Sequence, residues 1–192
     1  MVGHNQRVDA AETLISVDVE TGGATPGDYA LLSIGACLVD DPERTYYVEL
    51  RPEDKRTTLE ALEVSKLSLD VLRTMGVPPD EAMPQFAAWV AEVVPEGHRA
   101  VFVGFNAAFD WMFVADYFER YVGRNPFGHS PLDIKAFAMG RLGSTWAETS
   151  MKVLGPKYLS GRPLAHHALS DAQDQAALFR ALYDEPAHAH DD

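Results

Sequence analysis

The sequence predicts an α/β domain in which helices cover both faces of a mixed β-sheet, and three observations predict it. Residues 14–20 (LISVDVE) alternate apolar and polar side chains as a half-buried strand does. Two further apolar runs, ALLSIGACLVD and RTYYVELRP, flank Asp40, Asp41 and Pro42 as an antiparallel hairpin. Beyond residue 59 helical patterns surround the one remaining strand pattern, the order that adds parallel neighbours to a sheet begun by antiparallel ones.

Residues 1–12 are polar and expected to be flexible, residues 13–184 to form one folded domain, and residues 185–192 to be a flexible tail. After the first strand, TGGATPGDY is a loop punctuated by Gly22, Gly23, Pro26 and Gly27. Residues 59–74 carry one or two short helices. Residues 80–94 form an amphipathic helix, because Ala82, Phe86, Trp89, Val90 and Val93 recur at helical spacing, with Pro79 and Pro84 at its entry and first turns. Residues 100–105 are a short apolar strand, and residues 108–121 a helix apolar nearly all round and hence buried. Residues 125–163 are loop-rich with short helices. The last helix, SDAQDQAALFRALY, opens on a capping box of Ser170 and Gln173 and presents Ala172, Ala176, Phe179 and Tyr183 inward.

A chain of 192 residues, 46% hydrophobic and 23% charged, is long enough for a substantial core. No apolar run reaches membrane-spanning length, and MVGHNQRVDAAE lacks the basic start and apolar middle of a signal peptide. A cytoplasmic protein without membrane contact is therefore expected. The lone Cys37 lies in an apolar run and has no partner for an internal disulfide. A formal net charge of -13 argues against sequence-independent binding to long duplexes, which depends on Lys and Arg contacts to phosphate. Between residues 120 and 162 the balance reverses, with Arg120, Arg124, Lys135, Arg141, Lys152, Lys157 and Arg162 outnumbering the acids. A local basic rim on an acidic protein suits a short anionic ligand.

Residues two apart on a strand share a face, so Asp18 and Glu20 project together, in line with Leu14 and Ser16. Beneath a covering helix, two such carboxylates must be paired or bound to a cation. At a strand end running into solvent they are harmless, and the D-x-E spacing alone fits both situations. Asp110, in the first turn of the buried helix, shares a face with Val114, Tyr117 and Phe118 and points inward. An acid there also stabilises the helix dipole by roughly 0.3–1 kcal/mol. Asp171 has the same double reading at the start of the last helix, and Asp133, in SPLDIKAF, is a fifth acid in an apolar setting. Three segments thus each bring a carboxylate to the edge of a buried element. Such oxygen donors suit a pair of Mg²⁺ or Mn²⁺ ions in phosphodiester hydrolysis. His166, five residues ahead of Asp171 and outside the helix, has the chemistry of a general base near neutral pH. His167 beside it reads as a surface histidine.

In this order and spacing, VDVETGG, GFNAAFD and HHALSDA resemble the motifs of the DEDDh group of 3′–5′ exonucleases. That group includes RNase T, oligoribonuclease and the proofreading subunit of bacterial DNA polymerase III. The resemblance spans residues 14–183 and implies an RNase H-like fold with a five-stranded mixed sheet. It also implies two divalent cations, Mg²⁺ or Mn²⁺, held by Asp18, Glu20, Asp110 and Asp171. Asp18 would bridge them, Glu20 and Asp171 would help hold the ion that activates water, and Asp110 would support the other. His166 would be the general base. The implied reaction releases nucleoside 5′-monophosphates from the 3′ ends of single-stranded RNA or DNA, or from short oligonucleotides. Several relatives are dimers, so a homodimer is a further expectation.

The implied substrate contacts begin with Thr21, Gly22 and Gly23, in a loop longer than in many proofreading subunits. Tyr29, Leu31, Phe109 and Trp111 are candidates for stacking on the last bases or wedging between them, although Phe109 and Trp111 fit a core role as well. Asn106 joins this set, and Lys152, Lys157 and Arg162, upstream of His166, are candidates for phosphate contacts. Relatives commonly read H-N-A-x-F-D where this chain has Phe105 in place of the histidine, a change expected to alter packing at the site's edge. Two rivals remain at this point: an endonuclease or other phosphodiesterase of the RNase H-like class, and a non-catalytic nucleic-acid-binding module. The second would be marked by loss of an acid or of the histidine, and all five are present.

Overall fold

The computed structural model describes residues 11–53, 56–160 and 166–186. The expected flexible termini and Arg162 therefore lie wholly or largely outside the described residues. Strand β1 (Glu12–Thr21) is the centre of a five-stranded sheet. On one side it pairs antiparallel with β2 (Leu31–Leu38), which pairs antiparallel with β3 (Thr45–Glu49). On the other it pairs parallel with β4 (Arg99–Gly104), and β4 with the two-residue β5 (Leu132–Asp133). The order is β3-β2-β1-β4-β5. β1 begins at Glu12, within the segment expected to be flexible, because Glu12 pairs in register with Arg99 and its carboxylate takes the Arg99 guanidinium at 2.6 Å.

Alternation along β1 sends successive side chains into two different layers. Ile15, Val17 and Val19 pack under α3 (Pro79–Val93) and α4 (Ala108–Tyr121), in a core with Phe86, Phe113, Val114 and Phe118. The opposite face, with Leu14, Cys37, Val39 and Val103, is covered by α5 (Ile134–Leu142), α6 (Met151–Tyr158) and α7 (Ala168–Asp184). A 3-10 turn (Trp146–Thr149) joins α5 to α6. Two short helices, α1 (Leu59–Ser65) and α2 (Leu69–Met75), follow the hairpin. Among the described residues no helix is long and apolar enough to cross a membrane.

Two expectations for α7 are corrected. The helix starts at Ala168 after His167, with no side-chain cap, so Ser170 and Gln173 form no capping box. Gln173 Nε2 instead donates to the Pro42 carbonyl at 2.9 Å, tying the helix to the β2–β3 turn. Tyr183 is 61% exposed, and Leu178 and Leu182 complete the inward stripe with Ala172, Ala176 and Phe179. Both corrections follow from where the helix meets the sheet.

Candidate active site

The register pairs Asp18 on β1 with Gly35 on β2. A Cβ on Gly35 would lie 2.2 Å from the Ala168 carbonyl carbon and the Leu169 nitrogen, so only glycine lets the first turn of α7 rest directly on the sheet. The same first turn, beginning at Ala168, brings Asp171 to the β1 carboxylates. Oxygens of Asp18, Glu20 and Asp171 lie within 4.8 Å of one another, and Asp171 is 4% exposed.

Asp110 arrives from the other side. The parallel ladder between β1 and β4 ends at Ser16 and Val103, leaving the last amides of β1 without a strand neighbour on that edge. The chain turns through Asn106, exposed and left-handed at φ 60°, into α4. Asp110 Oδ1 then accepts the Val19 amide at 3.0 Å, and the residue is 5% exposed. The site sits at the carboxyl ends of the parallel strands, where open α/β sheets part to admit ligands. Asp133 braces this opening. Its Oδ2 accepts the Ala107 amide at 2.6 Å, and its Oδ1 the Ala136 amide at 2.8 Å, so one carboxylate caps α5 and pins the start of α4.

Packing carboxylates this closely away from water disfavours their charged forms. Burial pushes Asp18 well above the usual carboxylate range, and repulsion from Asp110, Asp171 and Glu20 adds to it. Glu20 is raised to about 7 by burial and by Asp171. Asp110 is raised to about 8, mostly by burial, with Glu20 and Asp133 adding to it against the pull of the Val19 amide. A hard divalent cation fits this donor set: it takes oxygen ligands and neutralises the clustered charge.

One residue of the site carries no motif. Gln175, 4% exposed on α7, donates from Nε2 to Asp18 Oδ1 at 2.5 Å and accepts the Phe105 amide on Oε1 at 2.9 Å. It fixes one Asp18 oxygen relative to the end of β4. Its signal in the sequence was a glutamine four residues past Asp171, three and four ahead of buried Leu178 and Phe179 on the same helix face.

His166 lies two residues before α7, exposed and in the left-handed region at φ 52°. His167 stacks on Tyr47 with centroids 4.7 Å apart, fixing the chain just before the helix. Beside Glu20 a cleft of about 390 Å³ is lined by Thr21, Gly23, Tyr29, Thr58, Val64 and Phe109. Thr21 Oγ1 donates to the Gly23 carbonyl at 2.8 Å, and a Cβ on Gly23 would lie 2.3 Å from the Tyr29 ring that packs over it. Gly22 is buried behind them, its amide donating to the Ala30 carbonyl at 2.7 Å.

Leu31 is not at this surface. It is fully buried, and its amide donates to the Tyr117 hydroxyl at 2.9 Å, so the first residue of β2 belongs to the core. Trp111 also packs inward, edge-on to Phe102 with centroids 5.4 Å apart. Lys152 is exposed on α6, and Lys157 Nζ lies 3.3 Å from Glu185.

No protein-family model matches the chain. The 3′-5′ DNA exonuclease Cap18 of Escherichia coli is 43% identical to it over 175 residues, covering 89% of this chain and 91% of that protein. The chain belongs to the DEDDh family of 3′–5′ exonucleases. As an exonuclease it hydrolyses phosphodiester bonds. Its fold is shared with the nuclease domain of 3′hExo, a DEDDh family member bound to rAMP, with a TM-score of 0.71 and 12% identity over 92% of this chain and 94% of that one. It is also shared with E. coli exonuclease I in complex with a dT13 oligonucleotide, with a TM-score of 0.70 and 18% identity. There the match covers 90% of this exonuclease but only 41% of exonuclease I. S. pombe Pop2p, in its Mg²⁺- and Mn²⁺-bound form, matches with a TM-score of 0.67 and 15% identity over 90% of this chain and 83% of that one. At these identities the likeness is one of fold, the RNase H-like sheet with helices on both faces.

Proposed function

We propose that this exonuclease shortens single-stranded DNA from its 3′ end, releasing nucleoside 5′-monophosphates, with two divalent cations, Mg²⁺ or Mn²⁺, at the carboxylate cluster. The observation that carries this reading is the convergence of the Asp18, Glu20 and Asp171 oxygens within 4.8 Å, beside a cleft of nucleotide size. DNA is favoured over RNA by the name of the 43%-identical relative. Asp18, Glu20 and Asp171 would hold one cation, and Asp18 and Asp110 the other. Bound there, the cations supply Lewis-acid stabilisation of the charge developing on the phosphate and lower the pKa of the attacking water.

The chain's own groups divide the remaining work. His166 accepts the proton of the attacking water on an imidazole nitrogen, which requires its neutral form. The cleft beside Glu20 receives the terminal nucleotide, with the Phe109 and Tyr29 rings against the base and the Thr21–Gly23 backbone along the sugar. Asn106 and Lys152 contact phosphates, and Lys157 joins them by exchanging Glu185 for a phosphate oxygen.

The test uses matched single-stranded DNA and RNA, labelled at the 5′ end, with Mg²⁺ or Mn²⁺ and an EDTA control. The expected result is a ladder shortening from the 3′ end, faster on DNA, with nucleoside 5′-monophosphates as the only small product. Cleavage of a circular single strand, or release of longer fragments, would overturn the proposal.

A further inference from the structure

Of the cations between residues 120 and 162, several are engaged: Arg120 with Glu53 and Asp116, Arg141 with the Tyr183 carbonyl, and Lys157 with Glu185. Lys135 differs. Among the described residues it forms no ion pair, and its ammonium lies over two aromatic rings. Nζ lies 4.0 Å from the centroid of Trp146 and 5.9 Å from that of Phe105. Trp146 is 50% exposed, an unusual state for so large an apolar ring. It is also held firmly, as the first residue of the 3-10 turn. Glu148 accepts from both the amide and the hydroxyl of Thr145 there, at 2.8 and 2.7 Å, in a complete capping box. The platform is therefore set before any ligand arrives.

Its place relative to the carboxylates follows from the sheet. Lys135 is the second residue of α5, directly after β5, and the Phe105 amide is joined through Gln175 to Asp18. The trio thus lies on the β4–β5 side of Asp18. The cleft lined by Tyr29 and Phe109 draws no lining residue from β4, β5 or α5 and lies over the end of β1, the loop that leads to β2, α1 and the start of α4. Placing the 3′-terminal nucleotide in that cleft and the scissile phosphate over Asp18 leaves the β4–β5 side open to the nucleotides that precede it.

We propose that Phe105, Lys135 and Trp146 form a subsite for the nucleotides upstream of the scissile bond, resting on the exonuclease reading above. The exposed indole stacks on an upstream base, the Lys135 ammonium takes the adjoining phosphate, and Phe105 keeps the lysine's other side apolar. Stacking on a ring is indifferent to base identity, which suits an enzyme that steps along a strand.

The test compares two substrates: single-stranded dT10, and the p-nitrophenyl ester of thymidine 5′-monophosphate, which has no upstream nucleotide. Trp146→Ala is expected to raise KM for dT10 about tenfold. Its kcat on dT10 and its hydrolysis of the ester should stay unchanged, and Trp146→Phe should restore most of the loss. Lys135→Ala should also raise KM for dT10 and reduce the salt dependence of binding by the equivalent of about one phosphate contact. Wild-type KM for dT10 in both alanine variants would overturn the subsite, as would equal loss on the ester, which would place Trp146 in the chemistry or the fold. If the wild type attacks neither substrate, the exonuclease reading itself fails, an outcome distinct from failure of the subsite.

Discussion

Replacing Gly35 by alanine tests the contact that builds the site. The added Cβ would meet α7 backbone atoms at 2.2 Å, whereas ordinary contact begins at 3.4 Å. The obstacle is backbone on a helix that spans Ala168–Asp184, so no side chain can swing away and the first turn must retreat by roughly 1 Å. Overpacking of this kind costs about 1–3 kcal/mol of stability. The retreat carries Asp171 away from Asp18 and Glu20, and a displacement near 1 Å in a catalytic arrangement lowers a rate by about 100-fold. The assay is 3′-shortening of labelled single-stranded DNA with Mn²⁺, beside urea unfolding of the same protein. Gly140→Ala is the control: nothing lies within 4 Å of a Cβ there, and in α5 the change should be neutral or slightly stabilising. A Gly35→Ala variant with wild-type rate and stability would refute the claim that this contact positions Asp171.

The raised carboxyls make the metal-free protein sensitive to pH. Asp110 at about 8 and Glu20 at about 7 hold protons in the folded chain that the unfolded chain has already lost, so their stabilisation is complete below pH 4 and disappears as pH rises through 7–8. Burial alone would raise Glu53, but Arg120 and Tyr121 hydrogen bonds hold it near 2, so its contribution is already constant above pH 4.5. In EDTA the melting temperature should therefore fall between pH 5 and 9, and saturating Mn²⁺ should abolish the decline; a flat profile in EDTA would contradict the electrostatics. Gln175→Leu removes the donor to Asp18 and strands the Phe105 amide. Metal affinity measured by Mn²⁺ titration should drop about 10–100-fold, and an unchanged affinity would make Gln175 a packing residue only. Leu31→Ala should cost about 2–5 kcal/mol in urea unfolding, with no change in KM for DNA, because Leu31 is core; a KM effect without destabilisation would return it to the substrate surface.

What the sequence made legible was local. Alternation in residues 14–20 placed Asp18 and Glu20 on one face, and helical spacing turned Asp110 inward with Val114, Tyr117 and Phe118, all three buried in the structure. The hairpin, α3 and α4 were readable for the same reason. Features set by contacts distant in the chain were not. β5 has two residues, too few for any alternation, and exists because Leu132 and Asp133 pair with Val103 and Gly104. The first turn of α7 rests on β2 at Gly35, a contact distant in the chain, and the helix begins ahead of the capping pattern of Ser170 and Gln173. Gln175 reaches Asp18 across 157 positions, and no spacing rule links them. The strand at Leu31 was legible, but which of its side chains face the core was not, and Leu31, expected against the substrate, is fully buried.

Asp18→Asn removes the one carboxylate proposed to serve both cations. The measurement is the Mn²⁺-dependent rate of 3′-shortening of single-stranded DNA by the purified variant, beside the wild type. Turnover should be lost in a folded protein whose metal-free form melts at or above the wild-type temperature, since one of the crowded carboxyls is gone. Turnover close to wild type in that variant would contradict the cation site.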